Sequence, residues 1–272
     1  MGNDDSAPIR AEFLTDSAPG NVPQHCGLVR PDAGRTPAAY AAILSALRDL
    51  RPLAAGIGFG IASRWDGESG CATPDEYRLA NRLAPQRRGD FLLGRRALHR
   101  ALADTGLDTR DAIGFTGRRP QVPPAAVGSI SHSGGFGVAI AAHRLRFRSA
   151  GIDIELSGVP LAAGRLILTD AELAWVHGGL EETAQWRLHM AFSAKEAAFK
   201  AIDPVMSGGA PRLRAIALTP SGPGFVACSA GAPPMRVHVR RVPGGVLAWT
   251  VISQDAWIRS PEGSRDSDVG LA

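Results

Sequence analysis

Apolar positions in this chain change their period several times, and each change marks an element. Residues 36–50 open on Thr36-Pro37 and continue with Ala, Leu and Ile at helical spacing, which predicts a helix with proline in its first turn. Residues 56–62 alternate glycine with larger apolar side chains and predict a strand that lets another element approach closely. Thr73-Pro74-Asp75-Glu76 has capping-box spacing and starts a second helix, and Pro85 starts a third that runs to about Asp104. Residues 128–132 and 136–142, joined by Ser133-Gly134-Gly135, predict a β-hairpin. A basic link over 143–148 leads to a strand at 150–156 that is apolar except for Asp153 and Glu155. Thr169-Asp170-Ala171-Glu172 caps a further helix, residues 181–202 form a long one, and short strands are predicted at 213–218, 224–229, 235–242 and 246–252. The last two read as a hairpin around Pro243-Gly244-Gly245.

Helices and antiparallel strands occur in both halves, so the expected class is α+β with two similar lobes, each a small antiparallel sheet packed with helices. The N-terminal lobe is placed at 36–146 and the C-terminal lobe at 147–259. Residues 1–35 and 260–272 lack apolar periodicity and read as loose polar tails. No internal repeat is legible in the sequence.

Composition narrows the functional classes. The chain has 272 residues, 44% of them hydrophobic, enough to bury a real core. No apolar run reaches the roughly 20 residues that span a bilayer, and no secretory leader pattern opens the chain, so a cytoplasmic protein with no membrane partner is expected. Cys26, Cys71 and Cys228 lack the spacing of a disulfide framework or a zinc site. Residues 78–119 hold ten arginines against four acids within a chain of net charge +4, which points to a polyanionic ligand or an acidic partner. With aromatics at 6% and no basic strand interleaved with them, a nucleic-acid partner is not expected.

The chain has only two lysines among 30 basic residues, Lys195 and Lys200, both in one nonapeptide. Where arginine serves elsewhere, an ammonium retained here suggests a need for a compact point charge. An ordinary i,i+4 pair of Glu196 with Lys200 is the plainer reading. Asp153 and Glu155, two apart on a strand, project from one face, and two carboxylates aimed at one spot suit a hard cation such as Mg²⁺. Glu196 could add a third carboxylate, and Ser131-His132 adds hydroxyl and imidazole donors at a strand end. Arg88 and Arg95, seven apart, return to one side of their helix. Together these are parts for phosphoryl transfer, in a chain without a Walker-A loop, GxGxxG, HExxH or GxSxG.

Gly151-Ile152-Asp153-Ile154-Glu155 followed by Phe192-Ser193-Ala194-Lys195-Glu196-Ala197-Ala198-Phe199-Lys200 resembles the paired signature of the 4′-phosphopantetheinyl transferases. Gly128-Ser129-Ile130-Ser131-His132, the preceding Pro120-x-x-Pro123, and Arg88-Gly89-Asp90-Phe91-x-x-Gly94-Arg95 resemble the monomeric subgroup that includes the enterobactin synthase component D enzymes. That resemblance implies a monomeric pseudo-dimer of two lobes with coenzyme A in the cleft between them. It implies Mg²⁺ on Asp153, Glu155 and Glu196, with Lys195 and Lys200 facing the phosphates. Ser131 and His132 would contact the nucleotide end, and Arg88 and Arg95 the 3′-phosphate. A serine of an apo acyl or peptidyl carrier protein would attack the β-phosphate and release 3′,5′-ADP, with Glu196 as base and Lys200 stabilising the leaving charge, in siderophore, polyketide or fatty-acid assembly. Val122, Arg118 and Arg119 depart from the family's usual residues in their segment. A non-catalytic coenzyme A or nucleotide-binding protein on the same fold is the alternative.

Overall fold

The computed structural model describes residues 37–49, 56–65, 72–107, 110–206, 209 and 211–259. The tails expected at 1–35 and 260–272, Thr36 and Leu50 at the ends of the first helix, and Cys26 and Cys71 lie outside the described residues. In chain order the elements begin with α1 (Pro37–Arg48), β1 (Ile57–Ser63), α2 (Pro74–Ala80) and α3 (Pro85–Thr105). A small hairpin, β2 (Phe115–Thr116) and β3 (Arg119–Pro120), precedes β4 (Ala126–Ser133), β5 (Phe136–His143) and β6 (Phe147–Glu155). Then come α4 (Gly164–Ile167), α5 (Asp170–His177), α6 (Glu181–Ile202), β7 (Ala217–Ser221), β8 (Gly224–Ser229), β9 (Ala232–Val242), β10 (Gly245–Ser253) and α7 (Gln254–Ile258). Residues 213–218, expected as one strand, instead divide between a one-turn 3₁₀ helix, Leu213–Ala215, and the start of β7. The turn lets its own Leu213 carbonyl and that of Ile216, the residue after it, face α6, a tertiary demand that no local pattern announces.

Two antiparallel sheets carry the architecture, ordered β1-β5-β4 and β6-β10-β9-β8-β7, and each backs onto one long helix, α3 or α6. The apolar side chains form three clusters. One lies between α3 and the first sheet, one between α5, α6 and the second, and one where the two sheets and α1 meet. The α+β, two-lobed expectation therefore describes the molecule. Among the described residues no helix is long and apolar enough to cross a membrane.

The lobes repeat one design that the sequence conceals. A Cβ on Gly60 would lie 1.9 Å from Ala97 O, and one on Gly151 would lie 1.9 Å from Ala197 O, so each strand meets its helix backbone-on. Each lobe also has a helix that opens with a complete capping box, Thr73 with Glu76 on α2 and Thr169 with Glu172 on α5. In both, the buried glutamate then reaches further than its own helix. Glu76 accepts from Ile113 N at 2.7 Å and pairs with His99 at 3.0 Å, while Glu172 accepts from Leu218 N at 2.6 Å.

Burial alone would raise the Glu76 carboxyl, but hydrogen bonds from His99, Ile113 N and Thr73 N and the His99 charge outweigh it and hold the group below the usual glutamate value. A depressed folded-state pKa contributes stability that is present above the unfolded value and lost as pH falls through the folded one. The melting temperature of the wild-type protein should therefore drop on acidification below about pH 4. Glu76→Gln should melt lower at neutral pH and show a shallower acid slope; an unchanged slope would mean that Glu76 does not carry this linkage.

Candidate functional site at the lobe junction

β4 of the N-terminal lobe and β6 of the C-terminal lobe run side by side without a backbone ladder. Serines take its place. Ser129, Ser131 and Ser133 alternate along β4 and so share a face. Ser129 Oγ accepts from Ile152 N at 3.3 Å, and Ser133 Oγ accepts from Leu156 N at 3.0 Å. Between them Ser131 Oγ donates to Asp153 Oδ1 at 2.9 Å.

Asp153 is the hub of the junction. Besides Ser131, it accepts from Ser193 Oγ on α6 at 2.8 Å and from Lys200 Nζ at 2.8 Å. Lys200 donates also to Ile152 O at 3.1 Å, so one of its three N–H donors is left for the groove, where the side chain is 25% exposed. Glu155 is fixed by Ser157 N at 2.6 Å and Ser133 Oγ at 3.4 Å. Its carboxyl is raised, first by burial and then by the Asp153 charge, against the lowering effect of those hydrogen bonds.

Glu196 faces the same space from α6. Burial, with Asp153 and Glu155 adding repulsion, drives its carboxyl up to about 7 against the opposing attraction of Lys200 and Arg118. Among the described residues no hydrogen bond reaches the Glu196 side chain. The imidazole of His132 lies 3.5 Å from Asp90 on α3. Desolvation, Lys200 and Arg87 pull the His132 pKa down while Asp90 and Asp153 oppose them. Asp153, Glu155, Glu196, Lys200, Ser131 and His132 thus share one electrostatic neighbourhood, as the strand and helix spacing implied.

Two expected site residues lie elsewhere. Lys195 is fully buried on the far side of α6, with Nζ 2.8 Å from Glu172 Oε2, 3.1 Å from Leu213 O and 2.7 Å from Ile216 O. Three acceptors meet three donors, and none is left to face a phosphate. The five residues from Lys195 to Lys200 turn a helix by roughly 500°, which sets the two about 140° apart. Arg95 is buried likewise, donating to Ile113 O at 2.6 Å and Gly114 O at 2.9 Å, and its pKa is lowered by burial to about 10 in spite of Glu76. It is the N-lobe counterpart of Lys195. Each cation ties its lobe's helix to the loop leading into the next strand, beside the capping-box glutamate. Arg88 donates to Leu83 O and Asn81 O in the connection before its own helix, and it is its neighbour Arg87 whose charge acts on His132.

Several participants were not singled out from the sequence. Ser193 supports the second oxygen of Asp153, although its place in the lysine nonapeptide drew attention to its neighbours only. The period-two run of serines along β4 is the signal that could have found Ser129 and Ser133. Arg118 acts on Glu196, and Arg119 is 2.8 Å from Asp203, which ties the β2–β3 hairpin to the end of α6.

Among the described residues no three histidine, cysteine or carboxylate groups stand close enough to form a ready coordination shell. The donor set nonetheless suits a hard divalent cation: oxygen ligands only, with Glu155 and Glu196 raised by burial and by neighbouring carboxylates. A cation there would relieve that repulsion.

Comparison with known proteins bears on the same region. A family profile described as the 4′-phosphopantetheinyl transferase N-terminal domain matches residues 75–142, and one described as the 4′-phosphopantetheinyl transferase superfamily matches residues 149–242. The chain is 36% identical over 139 residues to 4′-phosphopantetheinyl transferase Npt of Nocardia iowensis, covering 49% of this chain and 60% of that protein. It is 34% identical over 138 residues to Svp of Streptomyces mobaraensis, covering 48% and 54%, and 31% identical over 133 residues to PptT of Mycobacterium tuberculosis, covering 48% and 58%. The chain spans little more than half the length of these curated relatives.

Placement of Lys195 in the core has a direct consequence. Lys195→Met should strand Glu172 as a buried unpaired charge and destabilise the fold by about 3–5 kcal/mol. Thermal or denaturant unfolding reads this directly, and a Lys195→Met protein as stable as the wild type would return Lys195 to the groove.

Proposed function

Because the chain belongs to the 4′-phosphopantetheinyl transferase superfamily, we propose that the lobe junction transfers the 4′-phosphopantetheine group of coenzyme A to a serine of an apo acyl or peptidyl carrier protein. The observation that carries this reading is the convergence of Asp153, Glu155, Glu196 and Lys200, two lobes' worth of neighbours, on one groove. In phosphoryl transfer, positioning and charge neutralisation supply most of the rate, and this groove offers both.

Mg²⁺, held by Asp153, Glu155 and Glu196, would neutralise charge on the diphosphate of coenzyme A. Ser131 and Ser193 hold the Asp153 carboxylate in one rotamer. Glu196 takes the proton of the attacking serine hydroxyl. The serine oxygen bonds to the β-phosphorus as the bond to the bridging oxygen breaks, and 3′,5′-ADP leaves with the electron pair. Lys200, with its spare N–H, stabilises that departing charge. His132, Arg88 and Arg118 line the approach for the nucleotide and its phosphates, the role that Arg95 cannot fill from the core. Both walls of the groove come from one chain, so a monomer suffices.

Incubation with coenzyme A, Mg²⁺ and an apo carrier protein should add the mass of phosphopantetheine to the carrier's serine. Glu196→Gln should lower that rate by about 10²–10⁴-fold while the protein stays folded. Lys200→Arg should not restore turnover, since a guanidinium fork cannot keep both the Ile152 carbonyl and Asp153 while offering the same spare donor. Full activity in Glu196→Gln would remove this residue as the base. Coenzyme A binding without transfer to any of a panel of carriers would favour a binding-only protein.

A further inference from the structure

A concavity of about 250 Å³ lies on the outer part of the five-stranded sheet, lined by Pro223, Gly224 and the stretch of β9 from Arg236 to Arg240. β9 alternates, so the basic side chains of Arg236, His238 and Arg240 share one face over about 14 Å while Val237 and Val239 enter the C-lobe core. Gly224 leaves the floor bare, because a Cβ there would lie 2.1 Å from Val237 O. His238 rests flat on Trp249, with ring centroids 4.2 Å apart and planes at 10°, and both His238 and Arg240 are half-buried. Arg236 is steadied by Ser221 Oγ at 3.2 Å.

No carboxylate among the described residues pairs with any of the three. Burial and the two flanking arginines hold the His238 imidazole below its ordinary pKa. The duplication of the lobes adds an independent pointer. Ser131 pairs with Val138, which pairs with Ile61, just as His238 pairs with Trp249, which pairs with Ile152, the residue that matches Ile61 in the second lobe. His238 and Arg240 therefore stand where Ser131 and Ser133 stand on the wall of the lobe junction. On this copy α1, packed against β1 and β9, takes the place of the second wall, and the hydroxyls are replaced by cations.

We propose that this notch is a binding site for the phosphate or diphosphate group of a small ligand, distinct from the lobe junction. Guanidinium forks at alternate strand positions match phosphate oxygens, and an imidazole held between them donates a third contact. The concave floor and the half-buried His238 and Arg240 favour a small oxyanion over an extended acidic surface.

The test is a titration of the full chain with inorganic phosphate, inorganic diphosphate and ADP, following the His238 ring by NMR. Saturable binding is expected, with Kd on the order of 1 mM or tighter and a rise in the His238 pKa. Arg240→Ala and Arg236→Ala should each weaken it about tenfold or more, and Arg214→Ala, on a remote surface ion pair, should not. Tighter binding of ADP than of diphosphate would identify a nucleotide ligand, and equal binding a free anion; either supports the site. Lys200→Ala should leave the affinity unchanged, which separates this notch from the lobe junction. A response matched by chloride, retention of affinity in Arg240→Ala, or its loss in Lys200→Ala would overturn the proposal.

Discussion

A single carboxylate, that of Asp153, decides how the two lobes meet. It is buried, and a buried carboxylate is tolerated only when its oxygens are well supplied with donors. The three donors come from two elements, one in each lobe: Ser131 on β4, and Ser193 and Lys200 on α6. Because β4 and β6 share no ladder, these side-chain bonds and those of Ser129 and Ser133 do what backbone pairing does inside each sheet. Lys200 is consequently already drawn to its position beside Asp153, and the carboxyls of Glu155 and Glu196 are raised by burial and by their acidic neighbours.

The rest of the molecule is two versions of one lobe, and function lies in where they differ. Both long helices meet a strand glycine at an alanine carbonyl, and both carry a buried cation that serves the capping box and the following loop. One residue beyond that cation the copies part: Arg96 on α3 corresponds to Glu196 on α6. Arg100 bonds Ile61 O as Lys200 bonds Ile152 O, yet Ala62 occupies the position matching Asp153. The acids of the groove belong to the second copy alone. In the first copy the equivalent surface is occupied by α1, whose Ala39, Ile43 and Leu47 pack into the core between the sheets. The two lobes thus present two equivalent junctions, of which one keeps acids and the other is apolar and arginine-rich.

The features legible in the sequence are those governed by local rules. Both capping boxes, the proline starts of α2 and α3, the β4–β5 hairpin and the length of α6 follow from spacing within a few residues. The period-two placement of Asp153 and Glu155 also survived folding. Lys195 and Arg95 did not behave as ligand contacts, because a charged side chain on a buried helix face looks from its sequence like one on a rim. What distinguishes them is the set of acceptors waiting across the lobe, Glu172 with Leu213 and Ile216 for one, Ile113 and Gly114 for the other. The scarcity of lysine was a true signal for both residues, but for separate reasons: three convergent acceptors in the core at Lys195, and a spare donor at the groove at Lys200. The lobe repeat was hidden because it resides in backbone approach and in paired roles, with glycine, glutamate and alanine too common to mark it.

The central claim is that Ser131 and Ser193, from different lobes, act on transfer through one shared carboxylate. A double-mutant cycle with Ser131→Ala, Ser193→Ala and the combined variant, read as the rate of phosphopantetheine transfer to an apo carrier protein, measures this directly. A coupling energy above about 0.5 kcal/mol is expected, since either substitution already frees Asp153 to turn. Strictly additive losses, or no loss at all, would contradict the account.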